Sequence, residues 1–165
     1  EYRPYEGVRL TEAGRMLGMR MLRRHRLIEQ FLVQTLGLSW DQVHEEAEHM
    51  EHAVSDDLVE RIDEFLGRPG FDPHGDPIPD KDGNFQHIDK IVLAKANIGV
   101  AYKCVGVDDT STAFLQYLDS NGIALGTMIT VIHKEPYDNS VKIQLKDTEI
   151  VVSQSVAKNL YLKKV

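Results

Sequence analysis

A proline- and glycine-rich run, Gly67 to Gly83, decides how this 165-residue chain is organised. Four of the chain's six prolines, Pro69, Pro73, Pro77 and Pro79, fall there. Each removes a backbone donor and clashes with the turn before it, so no helix runs through. The run reads as a structured connector that passes into a looser linker over residues 80–90. Composition changes across it. All nine arginines lie between Arg3 and Arg68, and all ten lysines between Lys81 and Lys164. Residues 1–90 hold 19 acids and 11 bases, net −8, whereas residues 91–165 hold 7 acids and 8 bases, net +1. Two small domains are expected, which a chain of this length can supply.

The first half reads as helical. Thr11 is a predicted N-cap with Glu12 in the first turn. Leu17, Met21, Ile28, Leu32 and Leu36 recur at helical spacings until Gly37 stops the pattern. Ser39 or Asp41 can cap a second helix that runs to about Ala53. Ser55 caps a third, with Asp56 and Asp57 in its first turn and Leu58, Ile62, Phe65 and Leu66 on one face. The apolar stripes on the first and third helices exceed what three short helices bury alone, so a homodimer is expected. Ahead of Thr11, Tyr2 to Leu10 reads as an extended hairpin leg around Glu6-Gly7.

The second half reads as short strands rich in β-branched residues: Ala101 to Val107, Met128 to His133, Ser140 to Leu145 and Glu149 to Val152. Turns fall at Asn121-Gly122, Asp138-Asn139 and Lys146-Asp147. One helix, about Ser111 to Asn121, interrupts them, and Ala157 to Val165 closes the sheet. The expected class is α+β: a helical domain over residues 11–79, then a small β-barrel over residues 91–165.

Chemistry concentrates in Val43-His44-Glu45-Glu46-Ala47-Glu48-His49-Met50-Glu51-His52. On a helix, His44, Glu48, Glu51 and His52 fall within an arc of about 100°. The preceding helix adds His25 and Glu29, one turn apart. If the two helices pack antiparallel, six nitrogen and oxygen donors converge. Such a thiolate-free set suits Mn(II), Fe(II), Co(II) or Zn(II). Each pair taken alone also reads as an ordinary surface ion pair. The zincin pattern of two histidines at i and i+4 is not met, because His44 and His49 are five apart. A di-iron carboxylate bundle needs Glu-x-x-His on two helices, and only Glu46 to His49 fits.

The longest apolar runs are too short to span a membrane. A single cysteine, Cys104, excludes a disulfide framework and a cysteine-rich zinc module, and fits a reducing cytosol. No basic-then-apolar leader is visible, and a cytoplasmic protein is expected. The net charge of −7 argues against nucleic-acid binding by this chain through electrostatics alone. Cys104 is expected in the core and Trp40 under the second helix. His74 reads as a turn residue, and His87 and His133 as solvent-facing. The cluster Arg20, Arg23, Arg24 and Arg26 reads as a solvated helix face that balances the acids.

Four segments occur in order: Tyr5-Glu6-Gly7-Val8-Arg9-Leu10-Thr11-Glu12-Ala13-Gly14, Arg24-His25-Arg26-Leu27-Ile28-Glu29-Gln30-Phe31-Leu32, Val43 to Ser55, and Pro73-His74-Gly75-Asp76-Pro77-Ile78-Pro79. The chain thereby resembles the diphtheria toxin repressor family of metal-dependent transcriptional regulators, in its manganese-transport-regulator branch. The resemblance implies a helical metal-binding and dimerisation domain followed by an SH3-like domain of the ferrous-iron-transport A type. Residues 1–10 would be the end of a DNA-binding wing, with the recognition helix absent from this chain. Glu48, Glu51 and His52 match the family's primary metal site, and His25 and Glu29 its ancillary site. His44 matches an ancillary ligand of iron-type members. Asp72 stands where some relatives have a cysteine ligand, and Asp109 where a barrel aspartate is expected, with Asp108 as its rival. Glu48 replaces the cysteine of iron-type members, and a hard oxygen donor favours Mn(II), with Fe(II) open.

The function these features imply is a metal-dependent repressor: an ion favours the state of a homodimer that fits operator half-sites. Operator DNA would be read through the N-terminal part missing here, and no reaction would be catalysed. The competing classes are a metal-dependent enzyme that uses the Glu/His cluster, and a metal-buffering or adaptor protein. The ancillary ligands, with Asp109, are further expected to act as a metal latch between the two domains.

Overall fold

The computed structural model describes Tyr2, Arg3 and residues 7–165, with side chains from Arg9 onward. The chain divides into two compact units. The first comprises Glu1–Ser39, Val43–Asp72 and Pro77–Gln86. It opens with two short strands, β1 (Tyr2–Arg3) and β2 (Gly7–Val8), paired antiparallel as a hairpin. The expected turn residue Glu6 lies outside the described residues.

Helix α1 (Glu12–Leu36) follows. The Thr11 side chain caps it by accepting the Gly14 N–H at 3.1 Å. Gly37 ends it at φ 73°, a left-handed conformation that glycine adopts without the Cβ penalty. Helix α2 (Val43–Glu51) is shorter than the pattern suggested, because residues 40–42 form a turn first and His52 already lies past its end. Helix α3 (Asp56–Phe65) is capped by Ser55, whose hydroxyl accepts the Leu58 N–H at 3.3 Å.

Adjacent residues of α1 feed two cores. Leu27 packs with Val59, Ile62 and Ile78. Ile28 and Leu32 pack with Val43 and Ala47. Successive helical residues diverge by about 100°, so Leu27 and Ile28 address α3 and α2 respectively. Leu58 (46% exposed) and Phe65 (69% exposed) lie two turns apart on α3 and stay at the surface.

The arginine cluster departs from the expected solvated face. Only Arg20 is largely exposed. Arg23 is buried and donates to Asp63 at 2.9 Å and Glu60 at 3.2 Å. Arg24 pairs with Asp56 and donates to the Glu51 carbonyl at 2.9 Å. Arg26 pairs with Asp72 at 3.3 Å and donates to the Pro77 carbonyl. The reason is electrostatic: α3 and the connector carry the acids, and burying them needs a cation alongside.

The connector is folded. Phe71 and Pro77 form an antiparallel bridge, and the Ile78 N–H reaches the Gly70 carbonyl at 2.9 Å. The first part of the expected loose linker, residues 80–86, belongs to this unit. Asp80 accepts the N–H groups of Asp82 (2.9 Å) and Asn84 (2.8 Å), and Lys81 pairs with Glu60 at 2.7 Å. These N–H donors hold the Asp80 carboxyl below its usual pKa range, Asn84 contributing most.

The second unit comprises Trp40–Gln42, Pro73–Asp76 and His87–Val165. Its six strands are β3 (Ile91–Val92), β4 (Ala101–Val107), β5 (Met128–Lys134), β6 (Val141–Leu145), β7 (Thr148–Val152) and β8 (Leu160–Lys164). They pair antiparallel in the order β3-β8-β4-β5-β6-β7. Two helices complete the unit, α4 (Thr112–Ser120) and α5 (Gln154–Asn159). The C-terminal segment expected as strand from Ala157 is helical through Asn159, because Ser153 caps α5 by accepting the Val156 N–H at 3.3 Å. Alternating residues, Tyr102 and Cys104 on β4 and Val141, Ile143 and Leu145 on β6, point into one core. Burial pushes the Cys104 thiol up to about 11.

Trp40, expected under the second helix, packs against this core instead. Its indole N–H donates to Asp119 at 3.0 Å, and its ring stacks on His74 with 6.4 Å between centroids. His74 is buried, and its Nε2 lies 2.8 Å from the Trp40 carbonyl oxygen, while its own carbonyl accepts the Val107 N–H at 3.0 Å. His87 and His133 are solvent-exposed. No helix among the described residues is long and apolar enough to cross a membrane.

Gly75 is where the connector meets β4. It sits at φ 85°, and a Cβ there would lie 2.1 Å from the Val105 carbonyl oxygen and 2.5 Å from the Gly106 Cα. Both neighbours are backbone and have no side chain to rotate away. Gly75→Ala is expected to destabilise the second unit by about 2 kcal/mol or more. Denaturant unfolding followed by fluorescence of Trp40 measures this, and an unchanged midpoint would refute the close approach.

Candidate metal centre

Three side chains from two helices meet at one point. His25 and Glu29 stand one turn apart on α1, and His44 lies in the first turn of α2. His25 Nε2 lies 3.0 Å from Glu29 Oε1 and 3.1 Å from His44 Nδ1. His44 Nδ1 lies 3.1 Å from the same Glu29 oxygen. The helices cross here because Ile28 and Leu32 of α1 pack on Val43 and Ala47 of α2.

The triangle fits a divalent ion. An octahedral ion about 2.1–2.2 Å from each donor separates neighbouring donors by about 3.0–3.1 Å, and a tetrahedral ion at similar range spreads them wider. Two imidazoles and one carboxylate, with no sulfur, are borderline-to-hard donors of the kind Mn(II) and Fe(II) accept. Each ring also has a carboxylate behind it. His25 Nδ1 lies 2.9 Å from Glu51 Oε2, and His44 Nε2 lies 3.5 Å from Glu48 Oε1. A carboxylate on the second ring nitrogen fixes the tautomer and raises the basicity of a ligating imidazole.

The electrostatics agree. Burial disfavours the charged form of His25, but hydrogen bonds and charge from Glu29, then Glu51, outweigh it and raise its pKa. Glu29 is 3% exposed, an ionisable carboxyl far from water. A buried carboxylate needs compensating positive charge, from a proton on an imidazole or from a metal ion.

Four of the remaining expected ligands, Glu48, Glu51, His52 and Asp72, lie in the same unit as this centre. Glu51 also approaches His52 Nε2 at 3.3 Å through its Oε1, so the two expected metal sites are joined through the His25–Glu51 contact. Glu48 and His52 are exposed, and among the described residues Glu48, Glu51 and His52 do not form a group within 4.8 Å. Asp72 is buried, and a carboxylate oxygen of it lies within 4.8 Å of one of Glu29. In the second unit, Asp109 Oδ1 accepts the Ser111 N–H at 2.8 Å in the turn that leads into α4. Its rival Asp108 accepts the Tyr161 hydroxyl at 2.9 Å.

Sequence reasoning missed the contact of His25 with Glu51 and the pairing of Asp72 with Arg26. The first lies between the two helix faces already singled out, so an antiparallel register would have found it. The second spans 46 residues across a proline-rich connector, and no periodicity reports such a pair.

Comparison with known proteins follows this geometry. Residues 11–80 match the family described as iron dependent repressor, metal binding and dimerisation domain, and residues 91–164 match the FeoA domain. The iron-dependent repressor IdeR of Mycobacterium tuberculosis is 46% identical over 70 residues, which are 42% of this chain and 30% of that protein. The diphtheria toxin repressor of Corynebacterium glutamicum is 30% identical over 145 residues, covering 80% of this chain and 62% of the relative. The solved structure of a manganese-dependent transcriptional repressor in complex with manganese is 35% identical, with a TM-score of 0.88, over 98% of this chain and 77% of that one. The chain belongs to the diphtheria toxin repressor family. It groups with the manganese-dependent members by structure, and the β unit is the SH3-like domain expected of them. The match to the mycobacterial relatives spans about 30% of their length.

The apo centre should show its wiring in stability. His25→Ala removes one partner from each of two poorly exposed carboxylates, Glu29 and Glu51, and is expected to cost about 1–3 kcal/mol. His44→Ala removes a ring that is 55% exposed and is expected to cost less than about 1 kcal/mol. Thermal unfolding of the metal-free protein ranks the two, and a larger loss for His44→Ala would contradict the arrangement.

Proposed function

We propose that this chain is the metal-sensing and dimerising part of a transcriptional repressor that responds to Mn(II) or Fe(II). The observation that carries the reading is the triangle of His25, Glu29 and His44, with edges of 3.0–3.1 Å, backed by Glu51 and Glu48. In this reading, residues 11–79 form the metal-binding and dimerisation domain and residues 91–165 the SH3-like domain. His25, Glu29 and His44 hold one ion near Asp72. Glu48, Glu51 and His52 contribute to a second, with Glu51 standing between the two. A bound divalent ion supplies positive charge where Glu29 is buried and fixes α1 against α2. The hard oxygen of Glu48 favours Mn(II) over softer ions.

The protein acts in the cytoplasm as a homodimer. The exposed Leu58 and Phe65 on α3 supply the apolar face that a second copy covers. A dimer whose helices are fixed by metal presents two DNA-reading elements at a set spacing, which operator half-sites require. Metal then acts as co-repressor through its higher affinity for the DNA-competent state. Regulators, rather than enzymes, are what the relatives are named for, and no reaction is assigned here.

Calorimetric titration with Mn(II) tests the site. The wild type is expected to bind at least one ion per chain, and His44→Ala and Glu29→Gln to weaken binding by about tenfold or more. Unchanged isotherms for both variants would overturn the assignment. Sedimentation tests the dimer: wild type is expected at twice the chain mass, and Phe65→Asp as monomer, with its far-ultraviolet dichroism retained. A wild-type monomer at micromolar concentration, with and without Mn(II), would remove the dimer from the reading.

A further inference from the structure

We infer that the outer face of the SH3-like sheet carries a phosphate-binding strip, Lys90, Lys103 and Lys163, which holds the backbone of DNA bound by the repressor. The choice of DNA rests on the repressor reading, and the strip itself rests on the sheet. Strands β8 and β4 pair antiparallel with Lys163 opposite Lys103. Alternation buries Leu162 on β8 and Tyr102 and Cys104 on β4. It leaves Lys163 and Lys103 side by side on the other face, both exposed. Lys90 stands on that face too, because its Nζ lies 3.9 Å from the ring centroid of Tyr161, two residues before Lys163. Like charges directly opposite on a ladder repel and cost stability. No acidic side chain relieves them. Among the described residues the lysines in ion pairs are Lys81 with Glu60 and Lys142 with Glu149. On its other side Lys103 faces Met128 of β5. Asp89, next to Lys90 in sequence, lies against His87 at 3.3 Å. Asp108 accepts the Tyr161 hydroxyl, and it stands five residues along from Lys103. At strand rise that is about 16 Å, well outside the Debye length of about 8 Å at physiological ionic strength.

Two ordinary uses of surface lysine do not account for the strip. Lysines guard exposed sheet edges, but β8 and β4 are interior strands in the order β3-β8-β4-β5-β6-β7. Surfaces that only need solubility intersperse both signs, and here one sign is gathered. The residue type points to phosphate. Residues 91–165 contain no arginine, whose planar fork suits bidentate carboxylate recognition. Lysine is a mobile point charge that meets phosphate oxygens without a fixed geometry. The chain's net charge does not oppose this, because the excess acid lies in residues 1–90, at net −8, while residues 91–165 are at net +1. Duplex DNA offers one negative charge per about 1.7 Å of axis. A repressor already docked through its DNA-reading part raises the local phosphate concentration, so a few weak contacts add to the hold. The strip positions the domain on the backbone and reads no sequence.

Fluorescence anisotropy of a short labelled DNA duplex of arbitrary sequence, titrated with this chain, tests the strip. Wild type is expected to bind with Kd on the order of 10⁻⁴ M at low salt, and to lose about fortyfold in affinity between about 50 and 200 mM salt, as three phosphate contacts require. Lys103→Gln combined with Lys163→Gln is expected to bind about tenfold or more weakly at the lower salt and to cut the logarithmic salt slope by about two. Its melting temperature at low salt is expected at or above that of wild type, because the repulsion is gone. A lower one makes the pair structural and overturns the inference. Lys146→Gln combined with Lys158→Gln removes the same charge elsewhere in the unit and is expected to change binding less than about twofold. Absence of wild-type binding at low salt, or an equal loss in this control, overturns the inference. A poly-glutamate peptide that displaces the duplex at equal charge concentration overturns DNA as the occupant. Mn(II) titration keeps the two readings apart, since the Lys103, Lys163 double variant is expected to bind Mn(II) like wild type. If His44→Ala and Glu29→Gln weaken Mn(II) binding while the lysines hold no DNA, only the strip is wrong. If the lysines hold DNA while neither of those variants alters Mn(II) binding, the metal reading is wrong and the strip stands.

Discussion

A carboxylate buried at Glu29 is the constraint around which the helical unit is arranged. Ionised, it needs positive charge within a few ångströms, and the fold supplies two imidazoles at 3.0 and 3.1 Å. Those imidazoles in turn need their outer nitrogens satisfied, which recruits Glu51 and Glu48. Each answer brings in another acid. The arginines on neighbouring turns of α1 answer a separate set of acids, Asp56, Glu60 and Asp63 of α3 and Asp72 of the connector. The network around Glu29 can be held together by protons, and under the proposed function a metal ion takes their place. A group that tolerates either cation is suited to sensing.

The long helix α1 makes this arrangement possible because it serves several neighbours at once. Leu27 addresses α3, Ile28 and Leu32 address α2, and His25 and Glu29 fall along the seam with α2. Arg23 reaches α3 and Arg26 reaches the connector. Rotating α1 by one residue would move its apolar side chains, the His25–Glu29 pair and its ion-pairing arginines together, so these three requirements select the same register.

Much of this was legible in the sequence where the cause is local. Thr11 and Gly37 bound α1, and Ser55 starts α3, because capping depends on residues within one turn. Strand β4 runs Ala101–Val107 as its β-branched pattern predicts. Of the six donors expected to converge, His25, Glu29 and His44 follow from helical spacing and meet, whereas Glu48, Glu51 and His52 do not form a group of their own among the described residues. Non-local features were not legible. Trp40 carries no periodic sign of whether it packs on a helix or on the sheet. Arg23 and Arg26 read as solvated because arginines usually are, and only the acids folded over them reverse this. Residues 80–86 have the composition of a loose linker, yet Asp80 satisfies the backbone N–H groups of its own loop and gives the segment a shape. The start of α5 shows the same limit, since Ser153 caps a short helix within a stretch rich in strand formers.

The place of Trp40 has an optical consequence. It is the chain's one tryptophan, and its indole is hydrogen-bonded to Asp119 and stacked on His74 within the second unit. Most of the helical residues lie in the first unit, in α1, α2 and α3. Tryptophan emission therefore reports the integrity of the β unit, while ellipticity at helical wavelengths reports the metal-binding helices. The two spectroscopies read different halves of the same chain without any added label. Whether their unfolding curves coincide is a direct measure of how cooperatively the halves melt.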